Sequence, residues 1–175
     1  MKTQRLLLVV FMALTVISAY AREEIIQAPE LFVAEALEGH TPPPGIVWLT
    51  KEIASGAHKI LGHAPAQLRQ RYWADHGKTV WVLEEIGKEE PITAGFVVEG
   101  GRILYARVLV YRESRGGEIR YSAFLKQYEG IRLTSDDRLD RPVDGISGAT
   151  LSVQAMGRMA RFALYLDKVA KGISP

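Results

Sequence analysis

The sequence predicts an α+β fold, and three observations lead to this prediction. Helical patterns come first along the chain, a run of strands follows, and helices return at the end, so the two kinds of element are segregated. The strands succeed one another through short connections, which is typical of an antiparallel meander. The last helix has the most regular apolar spacing. With 175 residues, 47% of them aliphatic or aromatic, the chain can bury one sizeable core.

The first 21 residues have the composition of a secretory signal. Lys2 and Arg5 give it a positive start, residues 6–17 are uncharged and mostly apolar, and Ala19-Tyr20-Ala21 is a small-x-small cleavage site. We expect a cleaved signal peptide and export to a bacterial periplasm. The alternative is an uncleaved membrane anchor, although residues 6–21 are fewer than the roughly 20 that span a bilayer.

Charge and cysteine content exclude several classes of protein. Two of the 22 basic residues lie in residues 1–21, which leaves 20 basic against 20 acidic residues, so we expect no nucleic-acid partner. The chain has no cysteine, which excludes disulfides, cysteine zinc sites, all-cysteine iron–sulfur clusters and covalent c-type haem.

Residues 22–77 are predicted to form an N-terminal helical region. A short helix follows Pro29, and three prolines at 42–44 make a stiff connection. A helical pattern then runs through residues 46–62 and stops at a glycine. Residues 64–73 are predicted to form another short helix.

The second region, residues 78–175, begins with strands. Residues 79–83, 92–98 and 102–111 are rich in β-branched and aromatic residues, and Glu99-Gly100-Gly101 predicts a hairpin turn. A short helix at 122–128 and a long one at about 151–170 complete the chain. Strict alternation in the longest strand places one apolar set on the same face: Leu104, Ala106, Val108 and Val110.

The common catalytic and metal-binding patterns are absent from the sequence. His58 and His63 are five residues apart, so they do not stack on one helical face as metal ligands four apart would. There is no Walker loop, no dinucleotide-binding glycine motif and no Gly-x-Ser-x-Gly element. We therefore expect no resident metal and no hydrolase chemistry.

A glycine pair follows the longest predicted strand, in the segment 111–118. Gly116 and Gly117 leave the backbone uncovered, and charged residues on both sides offer donors and acceptors to a polar, planar ligand. Taken by itself, the segment is better explained as an exposed turn.

A second run of small residues, 144–150, leads directly into the last helix. The unpaired amides and the positive dipole end at the start of a helix attract anions, and Thr150 puts a hydroxyl there. The plain alternative is that Ser147 or Thr150 only caps the helix.

These two segments resemble a known family. The run from Asp144 to Thr150, Asp-Gly-Ile-Ser-Gly-Ala-Thr, resembles the acceptor signature Asp-x-x-(Ser/Thr)-Gly-Ala-Thr of the FMN-binding domain family. That family includes the flavin-carrying subunits of the sodium-pumping NADH:quinone reductase and of Rnf-type complexes. The segment from Glu113 to Gly117 is similar to the family's Glu-(Thr/Ser)-Pro-Gly-x-Gly loop, except that Arg115 replaces proline. The resemblance covers about residues 78–170.

The resemblance implies a covalent cofactor. In this family FMN is joined through its phosphate to the threonine of the signature by a separate, magnesium-dependent flavin transferase that uses FAD. Thr150 would therefore be the acceptor. The recognition sequence and phosphate cradle would be formed by Asp144, Ser147, Gly148 and Ala149. The residues along the flavin would be Glu113, Ser114, Gly116 and Gly117, and Arg115 beside them would raise the flavin potential.

The resemblance also implies a role in electron transfer. We expect a carrier that passes electrons between a membrane redox partner and another acceptor, because no separate substrate motif is present. Two alternatives stay open: a non-redox sensor or adaptor that binds FMN reversibly, and a flavin reductase with its own electron donor. The reductase is disfavoured by the lack of a nicotinamide-binding motif.

Overall fold

The computed structural model describes residues 23–173, and the predicted signal peptide lies outside these residues. None of the helices in this part of the chain is both long enough and apolar enough to span a bilayer. In chain order the elements are β1 (Glu24–Ile25), α1 (Pro29–Ala36), β2 (Gly45–Trp48), α2 (Lys51–Leu61), β3 (Arg69–Asp75), β4 (Lys78–Ile86), β5 (Pro91–Glu99), β6 (Arg102–Tyr111), α3 (Ser122–Leu125) and α4 (Thr150–Ala170), with 3₁₀ turns at Gly117–Arg120 and Lys126–Tyr128.

The strands form one six-stranded antiparallel sheet in the order β1-β6-β5-β4-β3-β2. The central hairpin is long and regular, since β4 pairs with β5 along its whole length, from Lys78 opposite Glu99 to Ile86 opposite Pro91. The α+β fold, the meander and the long closing helix are thereby confirmed.

Helices cover both faces of the sheet. Helix α1 packs on one face, where Phe32 lies over Gly95 so closely that a Cβ at Gly95 would be 2.2 Å from its ring. Helices α2 and α4 pack on the other face, over Trp81 and Phe96 in the larger core cluster. Alternate residues of β4 therefore point into two different apolar layers, which fixes the register of the sheet.

The predicted helix at residues 64–73 is wrong, because strand β3 occupies Arg69–Asp75. Tyr72 stacks on Trp81 of the neighbouring strand with ring centroids 4.9 Å apart. Trp81 lies outside the segment 64–73, so the segment alone does not reveal this contact. The cross-strand contact outweighs the local propensity for a helix. Residues 22–77 are thus not purely helical: they supply β1, β2 and β3 to the sheet, and β3 is joined to β4 across the predicted boundary at residue 78.

The predicted apolar face of the longest strand is also wrong in part. The register of β5 and β6 shifts twice, between Thr93 and Ala94 and between Val97 and Val98. Each irregularity exchanges the faces of the residues beyond it. As a result Leu104 is 37% exposed and Val110 packs in the α1 layer, while Ala106 and Val108 face α4 as predicted.

Candidate functional site

The site is built around the first turn of α4. The helix begins at Thr150, whose residue is exposed, and the residue before it, Ala149, is buried. In the part of the chain that the structure describes, no side chain caps this end of the helix by a hydrogen bond. The capping role that the sequence left open for Ser147 or Thr150 is therefore not used, and the Thr150 hydroxyl is free to react or to bind.

The backbone at this end of the helix has donors to spare. The Ala149 amide donates to the Ile146 carbonyl at 3.0 Å, and the Val153 amide donates to the Ala149 carbonyl at 3.0 Å. Within residues 23–173, no hydrogen bond is donated by the three amides between them, those of residues 150–152. Together with the positive end of the helix dipole, these amides suit an anion such as a phosphate.

The segment before the helix leaves the approach open. Gly148 has a φ of +81°, and a Cβ built on it would meet no atom within 4 Å. Asp144 donates its backbone amide to the Gln127 side-chain oxygen at 2.7 Å, which ties the start of the signature to the 3₁₀ turn after α3. The Asp144 and Ser147 side chains are exposed and lie outside the cavity described below.

The loop after β6, residues 112–118, is called the glycine loop, and it packs directly on the start of α4. Gly116 has a φ of +79°, and a Cβ there would lie 3.0 Å from the Ala149 Cβ and 3.2 Å from the Ser152 Oγ. Only glycine fits this position without strain. The Tyr111 hydroxyl donates to the Arg115 carbonyl and holds the loop in place. Burial raises the pKa of Tyr111, and a hydrogen bond with Ser152 partly offsets that shift.

Two further sets of contacts, made by Arg120 and Glu113, hold the glycine loop in place. The Arg120 guanidinium donates to the Gly117 carbonyl at 2.9 Å and lies 5.5 Å from the centre of the Tyr111 ring. The Glu113 carboxylate accepts hydrogen bonds from the backbone of the β4–β5 turn. The loop is therefore anchored on both sides.

A cavity of about 510 Å³ lies between the loop and the helix start. A volume of this size is ordinary for a cofactor site. Both segments predicted from the sequence reach it, but Gly116, Gly117, Asp144 and Ser147 do not line it. The lining residues are Lys88, Glu89, Glu113, Ser114, Arg115, Gly148, Ala149, Thr150, Leu151 and Ser152.

Four of these lining residues were not predicted. Leu151 and Ser152 follow the signature directly, and they form the floor of the cavity because the first turn of a helix presents consecutive residues around its end. Lys88 and Glu89 come from the β4–β5 turn. The sequence marks that turn as a polar stretch between two strands, but it contains nothing that indicates which end of the sheet α4 would meet.

A separate charged cluster lies farther along α4. His63 Nε2 is 3.0 Å from Glu85 Oε1, and Arg158 Nη2 is 3.4 Å from the same oxygen. The Ala64 carbonyl and then Glu85 raise the pKa of His63. Within residues 23–173, no three His, Asp or Glu side chains come together in a way that could hold a metal ion.

A comparison with known protein families finds a match for the part of the chain that contains this site. Residues 87–165 match the FMN-binding domain family. This confirms the resemblance proposed from the two motifs, and the matched stretch contains the glycine loop and the whole acceptor signature. No match was found among curated proteins or among solved structures. Residues 87–165 therefore resemble an FMN-binding domain, which indicates that this part of the chain binds a flavin.

The residues present fit FMN. FMN needs hydrogen-bond donors for its phosphate, room beside those donors, and polar groups along its length. The exposed Thr150 hydroxyl and three adjacent amides meet the first need, and the cavity with its open side at Gly148 meets the second. Ser114 and Arg115 offer polar groups along the opposite wall. When bound, FMN supplies the redox chemistry, and the protein supplies its position and electrostatic surroundings.

Proposed function

We propose that this protein is an exported electron carrier that holds FMN covalently on Thr150 through a phosphoester bond. Electrons would arrive from a membrane redox partner and leave to another acceptor. The single observation that supports attachment at this residue is its setting: Thr150 is exposed on the first turn of α4, at the wall of a cavity that the glycine loop closes from the other side.

The attachment needs help from outside the protein. The Thr150 hydroxyl is a weak nucleophile, and the cavity contains no histidine that could act as its base. A magnesium-dependent flavin transferase would supply the activation. The oxygen of Thr150 forms a bond to the flavin-side phosphorus of FAD, the pyrophosphate bond of FAD breaks, AMP leaves, and the hydroxyl proton is released.

The Thr150 environment suits the product of this reaction. A phosphodiester keeps one negative charge, and the bare amides of residues 150–152 lie around the point of attachment. Tethering also suits a protein outside the cytoplasm, because a freely dissociating cofactor would be lost there. Arg115 at the cavity wall would raise the flavin potential by favouring the anionic reduced ring.

The attachment is tested by producing the mature chain together with a flavin transferase. We expect a yellow protein whose colour survives denaturation and gel filtration, and a colourless Thr150→Ala variant. Ser135→Ala is the matched control, since it removes an exposed hydroxyl that lies outside the acceptor signature and does not line the cavity. Colour that washes out on denaturation would instead identify the reversible sensor or adaptor.

The carrier role is tested separately on the flavin-loaded protein. A carrier is reduced and reoxidised by partner proteins but does not turn over steadily with NADH or NADPH alone. Sustained oxidation of either nucleotide by the isolated protein would identify a reductase and overturn the carrier proposal. Replacing Arg115 by alanine should lower the midpoint potential, and an unchanged potential would remove Arg115 from this role.

A further inference from the structure

The turn between β4 and β5 is held by a single carboxylate oxygen. Glu113 Oε1 accepts the backbone amides of three consecutive residues: Lys88, Glu89 at 2.8 Å and Glu90 at 3.2 Å. Three successive amides directed at one point form a nest, a backbone arrangement that binds anions. Here the protein fills its own nest with a side chain from the glycine loop, so the turn and the loop behave as one unit.

The turn is shaped around this carboxylate. The Gly87 amide donates to the Glu90 carbonyl at 3.0 Å, which closes the turn on itself. A Cβ on Gly87 would lie 2.7 Å from Glu113 Oε1 and 2.9 Å from the Ile92 Cδ1 atom. An alanine at position 87 would therefore push against the Glu113 carboxylate and the Ile92 side chain where they now lie. Lys88, Glu89 and Glu90 are otherwise exposed, so the carboxylate is their main attachment to the rest of the molecule.

The turn has a consequence for the flavin site because it forms one wall of the cavity. Lys88 and Glu89 line the same space as Arg115 and Thr150. The cavity thus has three walls: the first turn of α4, the glycine loop and the β4–β5 turn. Glu113 connects the second wall to the third, and without it the third wall has no polar contact with the loop among the hydrogen bonds of residues 23–173.

We propose that Glu113 is a positioning residue for the flavin. Its carboxylate holds the β4–β5 turn as the third wall of the cavity, and that wall limits the movement of a flavin tethered to Thr150. This inference rests on the proposed attachment of FMN, and it differs from the expectation that Glu113 acts by lying along the flavin itself. Its effect passes through the backbone of residues 88–90.

The first test uses the protein without flavin. Hydrogen exchange of the amides of residues 88–90 should be roughly tenfold faster or more in Glu113→Ala, because each amide loses a charge-assisted hydrogen bond. Glu113→Gln keeps an oxygen acceptor and should fall between wild type and alanine. Glu118→Ala is the matched control, since it removes an exposed glutamate of the same loop. Unchanged exchange at residues 88–90 in Glu113→Ala would show that Glu113 does not hold the β4–β5 turn.

The second test uses the flavin-loaded protein. In Glu113→Ala the FMN mass should still be attached, but the visible circular dichroism of the flavin should weaken and iodide should quench its fluorescence more strongly. Glu113→Gln should restore part of both signals, and Glu118→Ala should resemble wild type. Faster exchange at residues 88–90 with unchanged flavin signals would refute the positioning role.

Two further measurements keep the outcomes separate. Exchange within β5 should be the same in wild type and in the Glu113 and Glu118 variants, which shows that the fold is intact. Gly87→Ala approaches the same contact from the other side, so it should reproduce the Glu113→Ala result without removing the carboxylate. If wild type carries no FMN mass, the attachment proposal fails. The exchange data still decide whether Glu113 holds the β4–β5 turn.

Discussion

The two ends of α4 differ in almost every physical respect. At the C-terminal end, Asp167 is 1% exposed and accepts a hydrogen bond from the Thr79 hydroxyl at 2.6 Å. Lys171 lies 2.7 Å from the same carboxylate, and the Trp81 ring nitrogen donates to the Thr79 hydroxyl at 3.0 Å. At the N-terminal end, Thr150 is exposed and the first amides have no partner among the described residues.

This difference shows how one helix can serve both stability and binding. Unsatisfied backbone donors at a helix end are usually capped by a side chain. Among the described residues the cap is missing at the end that faces the cavity, while at the other end the carbonyls of residues 167–169 accept the amides of residues 171–173. The arrangement is the one expected if the helix start is reserved for an external anion and the rest of the helix bears the packing.

The largest effect on the free energy of unfolding is expected at Asp167, near the C-terminal end of α4. Asp167→Ala removes the acceptor shared by Thr79 and Lys171, and it leaves the buried Thr79 hydroxyl without that acceptor. We expect the free energy of unfolding to fall by roughly 3 kcal/mol. Urea denaturation measures this, with Glu129→Ala as an exposed control. A loss no greater than that of the control would show that the network contributes little to stability.

An intermediate effect is expected where the glycine loop meets the helix start. Gly116 and Gly148 both have left-handed backbone conformations, but only Gly116 has atoms in the way of a Cβ. Gly148→Ala should cost about 1 kcal/mol through backbone strain alone, and Gly116→Ala about 2 kcal/mol because Ala149 is also displaced. Equal losses of unfolding free energy in the two variants would contradict the tight packing of the loop.

The smallest effect on the free energy of unfolding is expected at His63, which contacts Glu85 beside the middle of α4. Its pKa is raised above the ordinary 6.5, so its contribution to stability is complete below pH 6.5 and is lost as pH rises through the folded-state pKa. Because half of the side chain is exposed, solvent screens the interaction with Glu85, and the change should be roughly 0.5 kcal/mol or less.

This pH dependence is measured by urea denaturation of wild type and His63→Gln on both sides of pH 6.5. The difference between the two proteins isolates His63 from the other titrating groups. It should be larger on the acid side and shrink on the alkaline side. A difference that grew with pH would mean that the neutral imidazole is the stabilising form.

Much of the fold follows from local patterns that the structure respects. The regularly spaced apolar residues of α4 and the β-branched residues of strands β4 and β5 make these elements predictable. In each of them the pattern is long and its period is unambiguous. Strand β3 is not, since Tyr72 gains its place from Trp81 in the next strand. The irregular register of β6 is equally hidden, because a bulge depends on the partner strand as well as on the strand itself.

The sequence predicts the parts of the candidate site whose residues are adjacent along the chain. The segments ending at Gly117 and Thr150 were identified, and the fold brings both to one cavity. The β4–β5 turn was missed because its contribution depends on a contact between Glu113 and amides more than twenty residues earlier in the chain. Such a contact leaves no periodic trace in a single sequence.

The central claim is that FMN is bonded to the Thr150 oxygen, and peptide mass spectrometry tests it most directly. After co-production with a flavin transferase and proteolysis, the peptide that spans Thr150 should gain the mass of one FMN less one water. Fragmentation should place this gain on Thr150 itself, and the Thr150→Ala peptide should lack it. An unmodified wild-type peptide, or a flavin found on Ser147 or Ser152, would contradict the account.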